Sequence, residues 1–375
     1  MTAQATANTP LSTQPKYPAA IQQELIDSVK QAFEQRQPLK IIGGGSKAHY
    51  GRAVSGKMLA LNEYQGIINY EPSELVITVR AGTPLYVVEA ALAEQGQMLG
   101  FEPPTFSRNA TIGGTIACGL SGPRRPYAGA ARDFVLGVTM INGRGEILKF
   151  GGQVMKNVAG YDTSRLMCGA QGTLGVLLDI SLKVIPIPAY EETRIITANQ
   201  QQMQTLLTKL GCQPIPLSAT LLHRDQLYLR FSGANAGVRA AANLIGGDSP
   251  NSATAFWQQL KEQQHPFFDR ARHEGETVWR LSLPPTAADI PDALVSEQII
   301  EWGGAQRWAY SRDNSLNLRT WCQENGGHAT CFNHKETSKQ VFTPLTTDLL
   351  HLSQRIKNSF DPAHILNPER LYPGL

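Results

Sequence analysis

Apolar positions Ile21, Leu25, Val29, Ala32 and Phe33 recur at helical spacing, and Pro38 follows them, which predicts a helix near the start of the chain. Leu39-Lys40-Ile41-Ile42 then reads as a short strand running straight into Gly43-Gly44-Gly45-Ser46-Lys47. Residues 75–80 are β-rich. Thr83 and Pro84 supply an N-cap and first turn for a helix that reaches Gln95 and is closed by Gly96. Two runs, 134–141 and 146–150, flank Asn142-Gly143-Arg144-Gly145, a hairpin signal. Asp162 or Thr163 caps a short helix to Cys168. Leu178, Ile180, Leu182 and Val184 then alternate with Asp179, Ser181 and Lys183, the pattern of a half-buried strand. Pro186 and Pro188 end this unit.

From Tyr190 the glycines thin out and glutamine and tryptophan increase. Segments 193–197, 200–209, 218–222, 226–231 and 234–245 read as β-α-β-β-α. A second round follows, with a helix at 255–264, strands at 278–283 and 305–310, and a helix at 315–325. This order fits an antiparallel sheet with helices on one face, an α+β arrangement. Trp257, Trp279, Trp302 and Trp308 are assigned to its core or interface, the usual place for so large an apolar ring. An amphipathic helix, Thr347–Phe360, is stopped by Asp361-Pro362.

A chain of 375 residues, 42% hydrophobic and 17% charged, has the make-up of a globular protein of two domains. Its formal charge of +3 is too small to point to nucleic acid. No apolar run approaches the roughly 20 residues of a membrane helix. Residues 1–17 lack the apolar stretch of a secretory signal and read as a disordered leader. The five cysteines are odd in number and widely spaced, which fits reduced thiols. None stands in Cys-x-x-Cys, which argues against an iron–sulfur cluster or structural zinc in this chain.

Candidate chemistry gathers at two glycine-rich stretches. At Gly43-Gly44-Gly45-Ser46-Lys47, successive backbone N–H groups can form a concave anion site suited to a pyrophosphate. The spacing is neither G-x-G-x-x-G nor that of a P-loop. The second stretch, residues 101–137, reads FEPPTFSRNATIGGTIACGLSGPRRPYAGAARDFVLG. Gly113, Gly114 and Gly119 leave no Cβ between that backbone and a ligand.

Pro103-Pro104, Thr111-Ile112-Gly113-Gly114 and Ala131-Arg132-Asp133-Phe134-Val135-Leu136-Gly137 together resemble the flavin-binding domain of the vanillyl-alcohol oxidase and p-cresol methylhydroxylase family. Gly169-Ala170-Gln171-Gly172-Thr173-Leu174-Gly175-Val176 and Phe360-Asp361-Pro362-Ala363-His364-Ile365-Leu366-Asn367-Pro368 extend the likeness to the C-terminal region. Similar patterns occur in D-lactate dehydrogenases and in the flavin subunits of bacterial glycolate oxidase, and the likeness runs furthest with the smaller of these subunits. The resemblance implies an α+β fold: a two-subdomain FAD-binding domain at 18–190, an antiparallel α+β cap at 191–335, and a segment, 336–375, returning to the first domain. It also implies non-covalent FAD, because Ser46 stands where covalently flavinylated members place a histidine. The two loops would grip the pyrophosphate from opposite sides. On this pattern the cofactor residues are Gly43, Gly44, Gly45, Ser46, Lys47, Pro103, Thr111, Ile112, Gly113, Gly114, Ala117, Asp133, Gly172, Val176 and Asn367.

With FAD carrying the redox chemistry, the protein binds, orients and tunes it. Arg124, Arg125, Arg132, His328 and Asn367 are the polar candidates beside it. Arg124 or Arg125 could hold a substrate carboxylate or the reduced flavin, and of the two Arg125 is taken as the catalytic candidate. His328 is either a base at the flavin face or a core or edge-strand histidine. Arg132 and Asp133 read as a structural ion pair. The lactate dehydrogenases and the larger glycolate oxidase subunit pair histidines with a Glu-His step to hold a divalent metal. This chain has no such step, and His328 and His334, six apart, have no carboxylate in register, so no metal site is assigned. The resemblance implies a subunit of a complex oxidising glycolate to glyoxylate. Its partners would be a larger FAD subunit and an iron–sulfur subunit that takes the electrons. The chain would then lie in the cytoplasm, or through the complex against the inner membrane. A self-sufficient dehydrogenase of another 2-hydroxy acid and a flavin-binding scaffold without its own substrate site stay open.

Overall fold

The computed structural model describes residues 18–152, 162–311, 315–332 and 340–375. The leader at 1–17, residues 153–161, His334 and the boundary at 335/336 lie outside the described residues. In the first half the elements are α1 (Pro18–Gln35), β1 (Leu39–Ile42), β2 (Lys57–Ala60), β3 (Ile67–Glu71), β4 (Val76–Arg80), α2 (Leu85–Glu94), β5 (Gln97–Met98), α3 (Ile112–Cys118), α4 (Arg125–Ala128), α5 (Ala131–Phe134), β6 (Val135–Ile141), β7 (Ile147–Gly151), α6 (Thr163–Met167), β8 (Val176–Lys183) and β9 (Ile185–Pro186). Then follow β10 (Tyr190–Thr197), α7 (Gln200–Gly211), β11 (Leu217–His223), β12 (Gln226–Gly233), α8 (Asn235–Ile245), α9 (Ala253–Lys261), β13 (Val278–Ser282), β14 (Val295–Glu301), β15 (Gln306–Ser311), α10 (Ser315–Glu324), β16 (His328–Cys331) and α11 (Thr347–Phe360).

A five-stranded antiparallel sheet, β3-β4-β8-β6-β7, organises the first half, with β8 between β4 and β6. Leu178, Ile180 and Leu182 of β8 are fully buried, as the alternation predicts. One face of α1 is buried through Ile21, Leu25, Ile26, Val29 and Ala32. Leu85, Val88 and Leu92 of α2 are excluded from solvent, each contributing about 1.5–3 kcal/mol by burial. Thr83 does not cap α2, contrary to expectation. The first amide, Leu85 N–H, already donates to Ala110 O at 2.7 Å, while the Thr83 hydroxyl donates to Arg80 O at 2.6 Å and accepts from Gly66 N–H at 2.9 Å.

The second half is a seven-stranded antiparallel sheet, β10-β12-β11-β14-β15-β13-β16. Pattern reading misses β14, whose Ser296, Glu297 and Gln298 break the apolar alternation, and β16, which is only four residues long. The four tryptophans are buried. Trp302 Nε1 donates to Gly122 O at 3.1 Å, tying this sheet to the loop after α3. A charged network joins the halves again: Glu102 accepts from Arg124 Nε at 3.1 Å and pairs with Arg230 at 2.9 Å, and Arg124 also pairs with Glu191. Burial alone would raise the Glu102 carboxyl, yet Arg230 and Arg124 hold it below the usual carboxylate range. Glu262, just past α9, accepts from the N–H groups of Thr105 and Phe106.

After α11 the chain returns to β1. Leu39 N–H donates to Ile365 O at 2.7 Å and Asn367 N–H to Leu39 O at 3.0 Å. Lys357 is fully buried, and its three donors all find acceptors: Thr173 O at 2.7 Å, Asp361 Oδ2 at 2.7 Å and Leu366 O at 2.9 Å.

Candidate functional site

Three adjoining cavities, of about 180, 70 and 540 Å³, all border Gly43 and Thr111 and make up one cleft at the end of β1. The chain can pass this closely only without side chains. A Cβ on Gly44 would lie 1.4 Å from Asn109 O, and one on Gly43 would lie 2.3 Å from Thr111 Oγ1. Among the described residues, the N–H groups of Gly44, Gly45 and Ser46 meet no protein acceptor. A row of free amides along a concave turn is an anion-binding surface.

The opposite wall is not a second loop, as the sequence suggests, but the helix α3. Thr111 caps it, accepting from Gly114 N–H at 3.2 Å. Ile112 N–H donates to Thr83 O at 2.9 Å and Gly113 N–H to Ala81 O at 2.8 Å, so this helix end spends its first amides within the protein. Its contribution to the cleft is steric. Gly114 and Ala117 present little more than backbone, and a Cβ on Gly114 meets only Thr111 Oγ1, at 3.3 Å.

The returning segment holds both walls. The Asn367 side chain accepts from Ile41 N–H and donates to Gln171 O, each at 2.7 Å. Arg370 donates to Gln171 Oε1 at 2.9 Å and to the carbonyls of Ala48 at 3.1 Å and Tyr50 at 2.6 Å, fixing the turn after Lys47. Gln171 and Arg370 line the cleft yet escape sequence reasoning. Arg370, three residues past Asn367, carries no periodic or motif signal.

Residues 19–151 match the model of a family described as an FAD binding domain. Over 355 residues the chain is 45% identical to glycolate oxidase subunit GlcE of Escherichia coli (strain K12), spanning 94% of this chain and 98% of that one. The chain belongs to this family of FAD-binding glycolate oxidase subunits. It is also 26% identical to glycolate oxidase subunit GlcD of Bacillus subtilis (strain 168), over 74% of this chain and 57% of that protein. In fold it is similar to solved alkyldihydroxyacetonephosphate synthase, with a TM-score of 0.64 at 14% identity, covering 92% of this chain and 74% of that one.

FAD is the family's cofactor, and the cleft fits it. The free amides of Gly44–Ser46 suit a pyrophosphate, and Gly114 keeps the facing helix clear. Gly45, Ser46, Lys47, Thr111, Ala117 and Asn367 line the same space, and Gly113 and Gly172 border its inner lobe. At Gly172, with φ +74°, a Cβ would press on the Asn367 amide at 2.7 Å. Four expected residues are placed differently. Ile112 and Val176 are core residues. Pro103 borders a separate cavity of about 320 Å³ between the two halves. Asp133 sits on α5, accepts from Ala130 N–H and faces Arg132 and Arg165 at the surface, as the ion-pair reading has it.

Neither catalytic candidate lines the cleft. Arg125 stacks on the Trp302 ring at 4.5 Å, and Arg280 lies 5.3 Å from the same ring. His328 is the exposed first residue of the edge strand β16, paired with Ser282. Arg124 is committed to Glu102 and Glu191. Among the described residues, no group of three or more His, Cys, Asp or Glu could hold a metal ion.

Toward the seven-stranded sheet the cleft ends at Lys47 and Cys118, and beyond them the space is filled by rings. Phe332 packs 5.4 Å from His49, 5.3 Å from Tyr50, 6.3 Å from Phe106 and 4.8 Å from Trp308. A cavity of about 30 Å³ lies there, bordered by Arg280, Glu301 and Phe332.

Proposed function

We propose that the chain is the FAD-carrying subunit of a glycolate oxidase complex that oxidises glycolate to glyoxylate and passes the two electrons to an iron–sulfur partner. The observation that carries this reading is the near full-length identity to a glycolate oxidase subunit in a chain whose glycine-walled cleft suits FAD. Bound FAD supplies two-electron redox chemistry. The protein's own part is to hold it without a covalent bond: the Gly43–Lys47 turn binds, Thr111 and Gly114 set the distance, and Asn367 and Arg370 lock the turn. In this reading residues 18–190 carry the cofactor and the seven-stranded sheet covers it. Among the described residues no helix is long and apolar enough to cross a membrane; this reading places the chain in the cytoplasm, or through its partners against the inner membrane.

The ring-filled end of the cleft favours one division of labour within the complex. Glycolate is oxidised on the larger flavin subunit, and this chain relays electrons. An anaerobic flavin spectrum on adding glycolate tests both levels. The chain alone should keep its oxidised spectrum, and the same chain with its partner subunits should bleach. Bleaching of the chain alone would overturn the relay, and no bleaching with partners present would overturn the glycolate assignment.

A further inference from the structure

Lys47 is 6% exposed, yet its ammonium has no carboxylate within ion-pair distance among the described residues. Its contacts are loose: Ser46 Oγ at 3.4 Å, Thr105 O at 3.5 Å and the Phe106 ring at 5.7 Å. Each is at the outer limit for its kind, whereas the fully buried ammonium of Lys357 makes three contacts of 2.7–2.9 Å. Among the described residues, the charged neighbours of Lys47 are spoken for or distant. Glu262 is held by Thr105, Phe106 and Lys261, and Glu89 makes no ion pair with Lys47. Burial pushes the Cys118 thiol up, so it stays neutral beside the ammonium. A buried cation left this bare is costly unless something absent from the protein completes it.

Lys47 also stands at a defined end of the cleft. The free amides of Gly44–Ser46 lie along the turn, while Lys47 lines the cavity with Ala117 and Cys118, and its ammonium lies over the Phe106 ring, which itself packs against His49 and Phe332. Amides take the pyrophosphate, and flat rings suit the flat end of the cofactor. We infer that Lys47 is a redox-tuning residue, its ammonium set against the flavin ring to neutralise the negative charge the ring gains on two-electron reduction. The inference rests on FAD occupying the cleft. Burial lowers the Lys47 pKa, and the ring's charge would counter that and keep the ammonium protonated when it is needed.

Sulfite is the probe, because it adds its lone pair to the oxidised ring and leaves a negative charge there without any further oxidant. FAD-loaded wild type, Lys47→Met and Lys47→Arg are compared by FAD dissociation constant, sulfite dissociation constant and midpoint potential. Lys47→Met should weaken sulfite binding about tenfold or more in the FAD-loaded fraction and lower the potential. Lys47→Arg, which keeps the charge but displaces it, should fall between. Unchanged sulfite affinity and potential in Lys47→Met would overturn the inference. So would a selective loss of FAD affinity with normal sulfite binding in the fraction still loaded, which would put Lys47 on the pyrophosphate. A wild-type chain that stays colourless with excess FAD would instead overturn the cleft reading, and is told apart because no variant is needed to see it.

Discussion

Gly44 and Gly114 face each other across the cleft, and the same substitution has a different meaning at each. At Gly44 a Cβ collides with the Asn109 carbonyl at 1.4 Å, so the turn or the 107–110 loop must move. Gly44→Ala should therefore lose FAD and also about 1–3 kcal/mol of stability, read by flavin content and urea unfolding together. At Gly114 a Cβ finds only Thr111 Oγ1 at 3.3 Å, and a larger side chain points into the open cavity. Gly114→Val should fold within about 1 kcal/mol of wild type and yet purify without flavin. A folded Gly114→Val protein with normal flavin content would place the cofactor elsewhere. Residue-level chemistry was legible where it depended on missing side chains. It was not legible where it depended on a far partner: Asn367 carries a resemblance signal, but nothing local announces that Arg370 reaches the carbonyls of Ala48 and Tyr50.

Among the elements, those with a clean period were readable and those whose ends are satisfied by neighbours were not. The alternation in β8 and the helical spacing of α1 and α11 predict their elements because burial on one face sets the period. The segment at 111–118 reads as a loop because two adjacent glycines are poor helix formers, yet it is helical, its amides accepted by Ala81 and Thr83 from another part of the chain. The C-terminal element depends on a buried pair. Lys357→Met would leave Asp361, itself fully buried, as an uncompensated charge, and would strip Thr173 O and Leu366 O of a donor. The expected cost is about 3–5 kcal/mol in guanidinium unfolding. Flavin retention should fall with it, since the segment carrying Asn367 and Arg370 is no longer anchored.

For the molecule as a whole, the junction between the two sheets holds a group through which pH acts on stability. Glu301 is buried there, accepting from Trp308 Nε1 at 2.6 Å and Gln306 Nε2 at 3.0 Å, and burial pushes its carboxyl from 4.5 up to about 7. Between those values the folded chain holds a proton that the unfolded chain has released. Stability therefore falls as pH rises through that window, by on the order of 3 kcal/mol from this group. Glu301→Gln keeps an acceptor for both donors and has nothing to titrate. Urea unfolding at about pH 5 and pH 8 should show the variant gaining on the wild type at the higher pH, and an equal gap at both would refute the assignment. The passage from the five-stranded to the seven-stranded sheet falls at Tyr190, where the composition changes. The ion network of Glu102, Arg124 and Arg230 was not legible in the sequence, because its members lie up to 128 positions apart.

The return of the chain to β1 also sets a timetable. Ile41 N–H waits for an acceptor on Asn367, 326 positions later. During synthesis the glycine turn emerges early, but the residues that brace it are still untranslated, and the seven-stranded sheet is made in between. A ribosome-bound chain thus carries half a cradle. Cofactor uptake belongs to the moments after residue 370 has left the exit tunnel, and a translation product stopped short of it should accumulate as colourless protein even where FAD is plentiful.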